Sequence, residues 1–445
     1  MSRRAVILLV LLLGSLTGLT LTGRSLFASL SLLFFGVIVI AWVWSRFSLQ
    51  GLSLQRSVRT LTSQVGKVFE ETLVLKNQSR LPKLWVEIRD DSSLPGIWAS
   101  ARALGFSGSS WTQEFIGHRA SAVASGLRPR QDWLWTARTI CTRRGRFRLG
   151  PVTLSGGDPF GLFPTKRLLP DRRELVVLPP TVHLPAFPIP AGRLPGGEAL
   201  RRRTYQVTPN ASGVRDYSPG DSFNRIHWKS SARRGRLISK EFELDPMADV
   251  WLILDGQRTV HRQVPGMEEP LVGGLPGQVV HLPPMTEEYM VAAAASIALH
   301  VLGRNRATGL LGYGQARTVV QPERGEAQLF RILEALAGFR CEGDVDLTDV
   351  FRIETPWFPR GATVVVLTPN VRQDLFYALL EMRRRGLAPI ATLIEPADFG
   401  SPISARGLSQ ALADAGIPVR VARRKVGLDA SIGVPAGARM FTDAA

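Results

Sequence analysis

The sequence predicts a multi-domain protein in which a transmembrane helical hairpin is followed by an immunoglobulin-like β-sandwich and then a doubly wound α/β domain. Three observations lead to this fold class. Two long apolar runs open the chain, short segments of alternating polarity fill its middle, and strand patterns alternate with helix patterns in its last third. At 445 residues the chain is also too long for one ordinary hydrophobic core.

The two apolar runs, residues 5–22 and 26–44, contain no charged side chain. Each is close to the ~20 residues that an α-helix needs to cross a bilayer core. Because only a short connection separates them, residues 1–48 are predicted to form a transmembrane helical hairpin. Trp42 and Trp44 end the second run, where amphipathic rings favour the membrane interface.

Arginines flank the hairpin on both sides, whereas its connection carries Arg24 alone. By the positive-inside rule, both termini and the soluble domains are predicted to be cytoplasmic, in a multi-pass protein of the cell membrane. In the alternative, residues 1–19 are a cleaved signal peptide, and the second run still returns the chain to the cytoplasm. The flanking arginines are Arg3, Arg4, Arg46, Arg56 and Arg59.

The formal net charge of +18 favours anionic partners, such as lipid headgroups, nucleic acid or an acidic protein face. The bland alternative is a GC-rich genome that encodes arginine wherever a solvated cation is acceptable. Cys141 and Cys341 lie far apart and give neither a metal-ligand spacing nor a disulfide framework. We expect both to be buried thiols.

Residues 52–183 are predicted to form the β-sandwich, because short strand-like segments are separated there by Gly, Pro and Asn. Residues 68–76 and 84–88 alternate apolar and polar side chains, as strands with one buried face do. Residues 138–154 are predicted to form a hairpin or strand pair that is broken in its middle.

A turn is predicted at Asp158 and Pro159, since this dipeptide favours a reversal of the chain. We expect Phe160, Leu162 and Phe163 to pin that turn onto the sandwich. The turn is therefore interpreted as a structural corner, with a binding role as the alternative.

After a predicted linker at residues 184–212, residues 213–243 mix arginine, aspartate and tryptophan without a helical or strand period. A turn is predicted at Pro219 and Gly220, and Asp221 can accept hydrogen bonds from its amides or pair with a guanidinium. The arginines available for such a pairing are Arg215, Arg225 and Arg233.

The second half of this segment is predicted to be extended. Ile226 and Trp228 would then share one face and anchor the segment to the core, with His227 and Lys229 on the other face. A strand is expected to resume at residues 237–242 and to lead into the α/β domain.

The signature positions of this segment, in order, are Gly213, Arg215, Tyr217, Pro219, Gly220, Asp221, Ile226, His227, Trp228, Ser231, Ala232 and Arg233. Their spacing resembles the bacterial family called domain of unknown function fifty-eight. Arg144, Gly145, Gly150 and Pro151, with residues 158–163, also resemble the region that precedes the signature in relatives. The resemblance implies a membrane-anchored protein with a von Willebrand factor type A-like domain. It also implies association with MoxR-type AAA+ ATPases, which assemble or remodel envelope complexes.

A catalytic role for the signature has weaker support than a structural or docking role. Asp221, His227, Ser230 and Ser231 suggest a hydrolase triad, but triads are recognised by geometry and not by closeness in sequence. Neither a Gly-x-Ser-x-Gly elbow nor a phosphate-binding P-loop accompanies them. Nucleic-acid recognition would need stacking aromatics or a recognition helix among the basic residues. We therefore predict a structural or docking segment, with no catalytic residue, no small-molecule substrate and no nucleic acid.

Residues 244–425 are predicted to form a parallel sheet with helices on both faces, and residues 426–445 a C-terminal tail. The first strand ends in Asp255, at the edge where such sheets bind ligands. The predicted strands are residues 249–255, 307–313, 362–368 and 388–394, and the predicted helices are residues 287–302, 327–339 and 371–385.

The order of these elements resembles a von Willebrand factor type A domain, which often binds Mg²⁺ after its first strand. Asp255 and Thr259 match that pattern in kind, but Gln257 replaces a serine and a cation follows it. Thr348 is the candidate distal ligand, and Asn370 stands where an acidic residue would be needed. We expect no functional metal and no other cofactor, and we expect Asp255 to cap the turn after its strand.

Together these observations predict a non-enzymatic scaffold or adaptor that is anchored in the membrane and binds a protein partner at the cytoplasmic face. By resemblance, that partner is a MoxR-type AAA+ ATPase. Two alternatives stay open. One is a hydrolase that uses His227 or a site between domains, and the other is a charge-driven binder of anionic lipid or nucleic acid.

Overall fold

The computed structural model describes residues 2–98, 120–189, 211–218, 226–242, 249–264, 269–271 and 280–433. The chain begins with helices α1 (Arg3–Thr22) and α2 (Ser25–Ser48). Both are long and apolar enough to cross a membrane, with mean hydropathies of 2.3 and 2.5. The two apolar helices predicted from the sequence are therefore present, and they are consistent with membrane anchoring.

Local chemistry explains where α1 ends and how it meets α2. The Ser2 side chain accepts a hydrogen bond from the Ala5 amide, and Gly23 ends the helix in the left-handed conformation with φ of 63°. The Ser15 and Ser31 hydroxyls bond to each other across the two helices at 2.8 Å. A short turn and this polar contact hold the hairpin together.

A β-rich region follows the hairpin, and its described residues form three sheets. Two four-stranded sheets, in the orders β1-β3-β7-β5 and β10-β9-β4-β6, enclose a core that includes Leu75, Val86, Ile88 and Leu154. A third sheet has the order β2-β11-β8. The strands are β1 (Leu52–Val58), β2 (Thr62–Gln64), β3 (Val68–Asn77), β4 (Lys83–Asp90), β5 (Gly96–Trp98), β6 (Ala120–Leu127), β7 (Asp132–Cys141), β8 (Gly145–Leu149), β9 (Val152–Gly156), β10 (Thr165–Leu169) and β11 (Arg173–Leu178).

Residues 138–154 do not form the predicted hairpin. They supply β7, β8 and β9 to three different sheets, because β7 pairs with β3, β8 with β11 and β9 with β4. Gly145 and Gly150 adopt positive φ angles of 147° and 77°. These two glycines let the chain change direction after β7 and after β8. The hydrophobic pattern of the segment could not indicate these changes of direction.

Arg56 is not a cation at the membrane flank, contrary to the sequence interpretation. Its side chain is buried on β1 and contacts Glu71, Asp90 and Asp171 at 2.6, 2.9 and 3.0 Å. Glu71 lies on β3 of the same sheet, whereas Asp90 lies on β4 of the facing sheet. Arg56 therefore ties the two facing sheets together through charge-assisted hydrogen bonds.

The last part of the chain has a six-stranded sheet in the order β18-β17-β14-β19-β20-β21. All neighbours are parallel except the edge pair β17 and β18. The strands after β11 are β12 (Ala211–Asp216), β13 (Ile238–Phe242), β14 (Val250–Leu254), β15 (Glu269–Leu271), β16 (Val280–Leu282), β17 (Thr308–Tyr313), β18 (Arg317–Glu323), β19 (Thr363–Thr368), β20 (Ala388–Ile394) and β21 (Val419–Ala422). The helices are α3 (Trp228–Arg234), α4 (Thr286–Gly303), α5 (Glu326–Gly338), α6 (Leu347–Glu354), α7 (Gln373–Arg384), α8 (Arg406–Asp414) and α9 (Leu428–Ile432).

Both faces of this sheet are covered, as the strand and helix alternation predicts. Leu252 and Leu254 of β14 pack on the side of α4, α5 and α9, while Trp251 and Ile253 pack on the side of α6, α7 and α8. Successive side chains of a strand point to opposite faces, so a strand buried on both faces is apolar throughout. The protein is multi-domain, with an α/β unit of this kind after the β-rich region.

The β-rich region and the α/β unit share one apolar core. Leu149 on β8 and Leu175 on β11 belong to the same buried cluster as Leu336 on α5. Leu184 and Phe187, at the start of the predicted linker, are also buried in this cluster. The β-rich region therefore packs directly on α5 and is not merely tethered to the α/β unit.

Candidate functional site

The signature segment folds as a strand, a helix and a strand. β12 pairs antiparallel with β13, and this register places Gly213 opposite Glu241 and Arg215 opposite Ser239. The Tyr217 amide extends the pairing by donating to the Leu237 carbonyl at 3.0 Å. Pro219, Gly220, Asp221 and Arg225, with the predicted Arg–Asp contacts, lie outside the described residues.

Hydrogen bonds between side chains and the backbone fix the start of α3. The His227 ring accepts a hydrogen bond from the Ser230 amide through Nδ1 at 3.2 Å. The Ser231 hydroxyl donates to the His227 carbonyl at 3.1 Å and accepts from the Ile238 amide at 2.9 Å. His227 and Ser231 thus bind the helix cap and the returning strand, in a structural arrangement that differs from a nucleophile and its base.

The sequence prediction for Trp228 is wrong. Ile226 is buried at 3% exposure and bridges to Ser239, but Trp228 is 65% exposed. The His227 cap turns the chain into a helix at the next residue, so the period of two that would bring Ile226 and Trp228 to one face ends there. Of these two residues, Ile226 is buried and Trp228 is not.

Trp228 instead lies on a cationic surface. We call Trp228, Lys229, Ala232, Arg233 and Arg234 the α3 surface, since all five residues are exposed on α3. A solvent-exposed tryptophan among cations is an uncommon use of a large apolar ring. This combination is typical of a surface that another molecule covers.

A second candidate site lies at the carboxyl edge of the sheet, where Asp255 follows β14. Asp255 is 1% exposed, and Thr368 at the end of β19 donates its hydroxyl to Oδ2 at 2.6 Å. The Gln257 amide donates to Oδ1 at 3.1 Å. Both carboxylate oxygens are therefore bound by protein donors, and Asp255 caps the turn after its strand as predicted from the sequence.

The candidate metal positions Thr348 and Thr259 do not form a metal site with Asp255. Thr348 donates its hydroxyl and its amide to Asp346 Oδ1 at 2.7 and 2.9 Å. The Arg372 guanidinium lies 3.6 Å from Asp346 Oδ2, and Thr259 is exposed in a short 3₁₀ helix. Within the described residues, no group of three or more His, Cys, Asp or Glu side chains could hold a metal ion. Asp346 accepts the Thr348 hydroxyl and lies beside the Arg372 guanidinium, and such a carboxylate does not fit a hard divalent cation.

His261 is a buried residue at this edge that the sequence interpretation missed. Its Nε2 lies 2.8 Å from the Asp255 carbonyl oxygen, which can only accept, so Nε2 carries the proton. Nδ1 then accepts from the Thr286 hydroxyl at 3.0 Å. Burial lowers the pKa of His261 and raises the pKa of Asp255, so both groups favour their neutral forms. A lone histidine after the strand gave no signal of this role.

Asp255 should make stability depend on pH. Because burial raises its pKa in the folded chain, the folded state binds the proton more tightly than the unfolded state. The contribution of Asp255 to stability is then greatest below the unfolded pKa of about 3.9, and this contribution is lost as the pH rises through the folded pKa. We expect Asp255→Asn to remove this part of the pH dependence of stability.

Chemical denaturation at a series of pH values measures this effect, with the exposed Asp349→Asn as the matched control. Coincident pH profiles for Asp255→Asn and the unmodified chain would contradict it. Adding Mg²⁺ is expected to leave the melting temperature of the unmodified chain unchanged.

A buried ionic cluster joins the β-rich region to the α/β unit, close to His261. Arg144, just before β8, contacts Glu287 at 2.6 Å and Glu288 at 3.1 Å, both in the first turn of α4. Its guanidinium also donates to the Phe339 carbonyl at 3.1 Å. The more exposed Arg340 guanidinium lies 3.5 Å from Glu287 Oε1, and we call Arg144, Glu287, Glu288 and Arg340 the interdomain cluster. From the sequence, Arg144 was expected at a break between strands and in the resemblance to the region that precedes the signature in relatives, and an ionic role was not expected.

The electrostatics of this cluster depend on Arg144. Burial pushes the pKa of Glu287 upward, but the Arg144 guanidinium and the Cys341 amide outweigh burial and hold that pKa below its usual value. Burial dominates at Glu288 and raises its pKa. Two carboxylates at the N-terminus of α4 also favour the positive end of the helix dipole. The cluster is thus arranged around a single buried cation.

Comparison with known proteins gives one family and one relative. The family described as "Protein of unknown function DUF58" matches residues 213–262, which include the α3 surface, Asp255 and His261. The chain is also 26% identical over 168 residues to "Uncharacterized protein YeaD" of Bacillus subtilis (strain 168). That match covers 38% of this chain and 36% of the relative, so it spans little more than a third of either protein.

Similar solved structures are distant. The CARDB domain of the PF1109 protein from Pyrococcus furiosus has a TM-score of 0.19 and 12% identity, and the match covers 28% of this chain and 91% of that domain. A β-glucosidase from Listeria innocua has a TM-score of 0.18 and 12% identity, over 28% of this chain and 16% of the enzyme. Likenesses this weak say nothing about what the chain does.

Proposed function

The chain belongs to the family of proteins of unknown function DUF58, and we propose that it is a membrane-anchored adaptor whose α3 surface binds an acidic face of a protein partner. The single observation that carries this proposal is the exposure of Trp228 at 65% inside the family-matched segment. Tryptophan and arginine are the residue types most enriched where binding energy concentrates.

The charge around Trp228 suggests the chemistry of the partner. Lys229, Arg233 and Arg234 are exposed on the same short helix. Arg236, between α3 and β13, pairs with Asp216 at the end of β12 at 3.0 Å, so it lies next to the surface without adding a free cation. An acidic partner face would be steered toward these cations and would fix its register on them.

The fold is suited to an adaptor, because the helices that anchor the chain are separate from the domains that carry the α3 surface. We propose that α1 and α2 span the membrane with both termini and the soluble domains in the cytoplasm. The two facing sheets would be an immunoglobulin-like sandwich, and the six-stranded sheet a von Willebrand factor type A-like domain that has lost its metal site. The geometry of Asp255 and Thr368 favours this interpretation, because their hydrogen bond occupies the carboxylate.

For the partner we propose a MoxR-type AAA+ ATPase acting in the assembly or remodelling of envelope complexes. The hydrolase alternative at His227 is disfavoured by its contacts, since the ring and Ser231 both bind backbone groups. An adaptor needs a rigid presenting segment, and these hydrogen bonds provide one.

The test is crosslinking followed by purification of the full chain from native membranes. Trp228→Ala is expected to lower the recovery of the ATPase about tenfold or more, as removal of a central interface tryptophan does. Trp357→Ala is the matched control, because Trp357 is 82% exposed but lies outside the family-matched segment. Equal recovery with both variants would refute the α3 surface, and recovery of no ATPase from the unmodified chain would refute the partner.

A further inference from the structure

We propose that the turn at residues 158–163, the corner turn, is a membrane-contact element that inserts Phe160 at the headgroup boundary of an anionic phospholipid surface. The inference rests on membrane anchoring by α1 and α2, which is part of the proposed function. It is independent of the α3 surface and of the identity of any protein partner.

The corner turn is bound to the open end of the helical hairpin and not to the sandwich, contrary to the sequence expectation. The Ser2 amide donates to the Leu162 carbonyl at 3.1 Å, and the Ser45 hydroxyl donates to the Phe163 carbonyl at 2.6 Å. Leu162 is 2% exposed and packs against Ala5 and Ala41. The turn therefore lies where α1 begins and α2 approaches its end.

Asp158 makes the corner turn rigid. Its side chain is 1% exposed and accepts hydrogen bonds from the amides of Phe160, Leu162 and Phe163 at 2.9, 3.1 and 2.6 Å. Gly161 has φ of 69°, and a Cβ placed there would lie 3.3 Å from an Arg4 guanidinium nitrogen. The position of Phe160 is thus fixed before any partner arrives, so little ordering opposes its insertion.

The turn exposes an aromatic ring beside the ends of the apolar helices. Phe160 is 48% exposed, although Leu162 in the same turn is buried. On α2, Trp42 and Phe47 are 59% and 42% exposed. Aromatic rings collected at one end of membrane-length helices are typical of the boundary between acyl chains and headgroups.

The charge at this end fits anionic lipid. Arg3 and Arg4 on α1 and Arg46 on α2 are all exposed. Arg4 lies beside Gly161, next to Phe160. Guanidinium groups at headgroup level pair with phosphates while the adjacent ring enters the acyl boundary. Continuity with α1 and α2 favours a lipid surface over a protein as the occupant, because the same bilayer would surround both.

The test uses the full chain carrying Phe160→Cys, labelled with an environment-sensitive fluorophore and reconstituted into vesicles of phosphatidylcholine and phosphatidylglycerol. Cys141 and Cys341 are 0% and 4% exposed, so the label should go to the new thiol. A lipid carrying a nitroxide near its headgroup is expected to quench this probe about twofold or more above a probe at Tyr377→Cys, which is exposed on α7. Quenching should rise further when phosphatidylglycerol replaces more of the phosphatidylcholine, and high salt should cancel that rise.

Equal quenching of the two probes, in a chain that alkaline washing leaves in the vesicles, would overturn the membrane-contact role of the turn. Strong quenching that does not depend on the phosphatidylglycerol content would overturn the preference for anionic lipid. Release of the chain by the alkaline wash would overturn the anchoring on which the inference rests.

Discussion

Replacing Arg144 by alanine is expected to destabilise the folded chain by about 3–5 kcal/mol, because the change leaves buried carboxylates without their cation. The Arg144 side chain is fully buried, and the side chains of Glu287 and Glu288 are only 12% and 10% exposed. The variant also loses the hydrogen bond to the Phe339 carbonyl. The β-rich region should consequently release its packing on α4 and α5.

Chemical denaturation of the full chain in detergent, followed by tryptophan fluorescence, measures this loss. Arg146→Ala is the matched control, since Arg146 lies on β8, two residues after Arg144, and pairs with Glu334 at 3.3 Å, but its side chain is 56% exposed. We expect that control to cost at most about 1 kcal/mol, as exposed ion pairs do. If the two variants lose the same stability, the interdomain cluster does not hold the two parts of the protein together.

The central elements of the fold could be predicted from the sequence because their patterns are local. β14 and β19 are buried along their whole length and read as continuous apolar runs. β3 alternates in burial, as its sequence does. β18 and α6 were missed, since an exposed edge strand and a helix of 8 residues carry too little apolar pattern to stand out from loops.

The candidate sites could be predicted only in part, because their partners are distant in sequence. Arg144 and Glu287 are 143 residues apart, and the sequence around either residue does not indicate that they form a pair. Asp255 was correctly expected to cap a turn, but its partner Thr368 lies 113 residues further along the chain. The prediction for Trp228 was wrong for a local reason. The His227 cap starts a helix where the sequence pattern suggested an extended segment.

Arg56→Ala is expected to cost about 3–5 kcal/mol by the same physics, at a site within the β-rich region. The guanidinium contacts Glu71, Asp90 and Asp171, and the side chains of Glu71 and Asp90 are at most 1% exposed. Without Arg56, both of these carboxylates would remain buried between the facing sheets. The matched control is Arg138→Ala, whose pair with Glu70 at 3.3 Å is about half exposed and should be worth less than about 1 kcal/mol.

This loss should shrink in acid. Burial raises the pKa of Asp90, and the Arg56 guanidinium opposes that rise. In Arg56→Ala the opposition is gone, so the folded pKa of Asp90 rises further above its unfolded value of about 3.9. A carboxyl with a raised folded pKa destabilises the fold above that pKa and releases the penalty as the pH falls through it. The difference in unfolding free energy between Arg56→Ala and the unmodified chain should therefore narrow as the pH falls toward the unfolded pKa of about 3.9, while the difference for Arg138→Ala stays constant. A gap independent of pH would mean that Asp90 is solvated once Arg56 is removed, and that the two sheets separate rather than hold a buried charge.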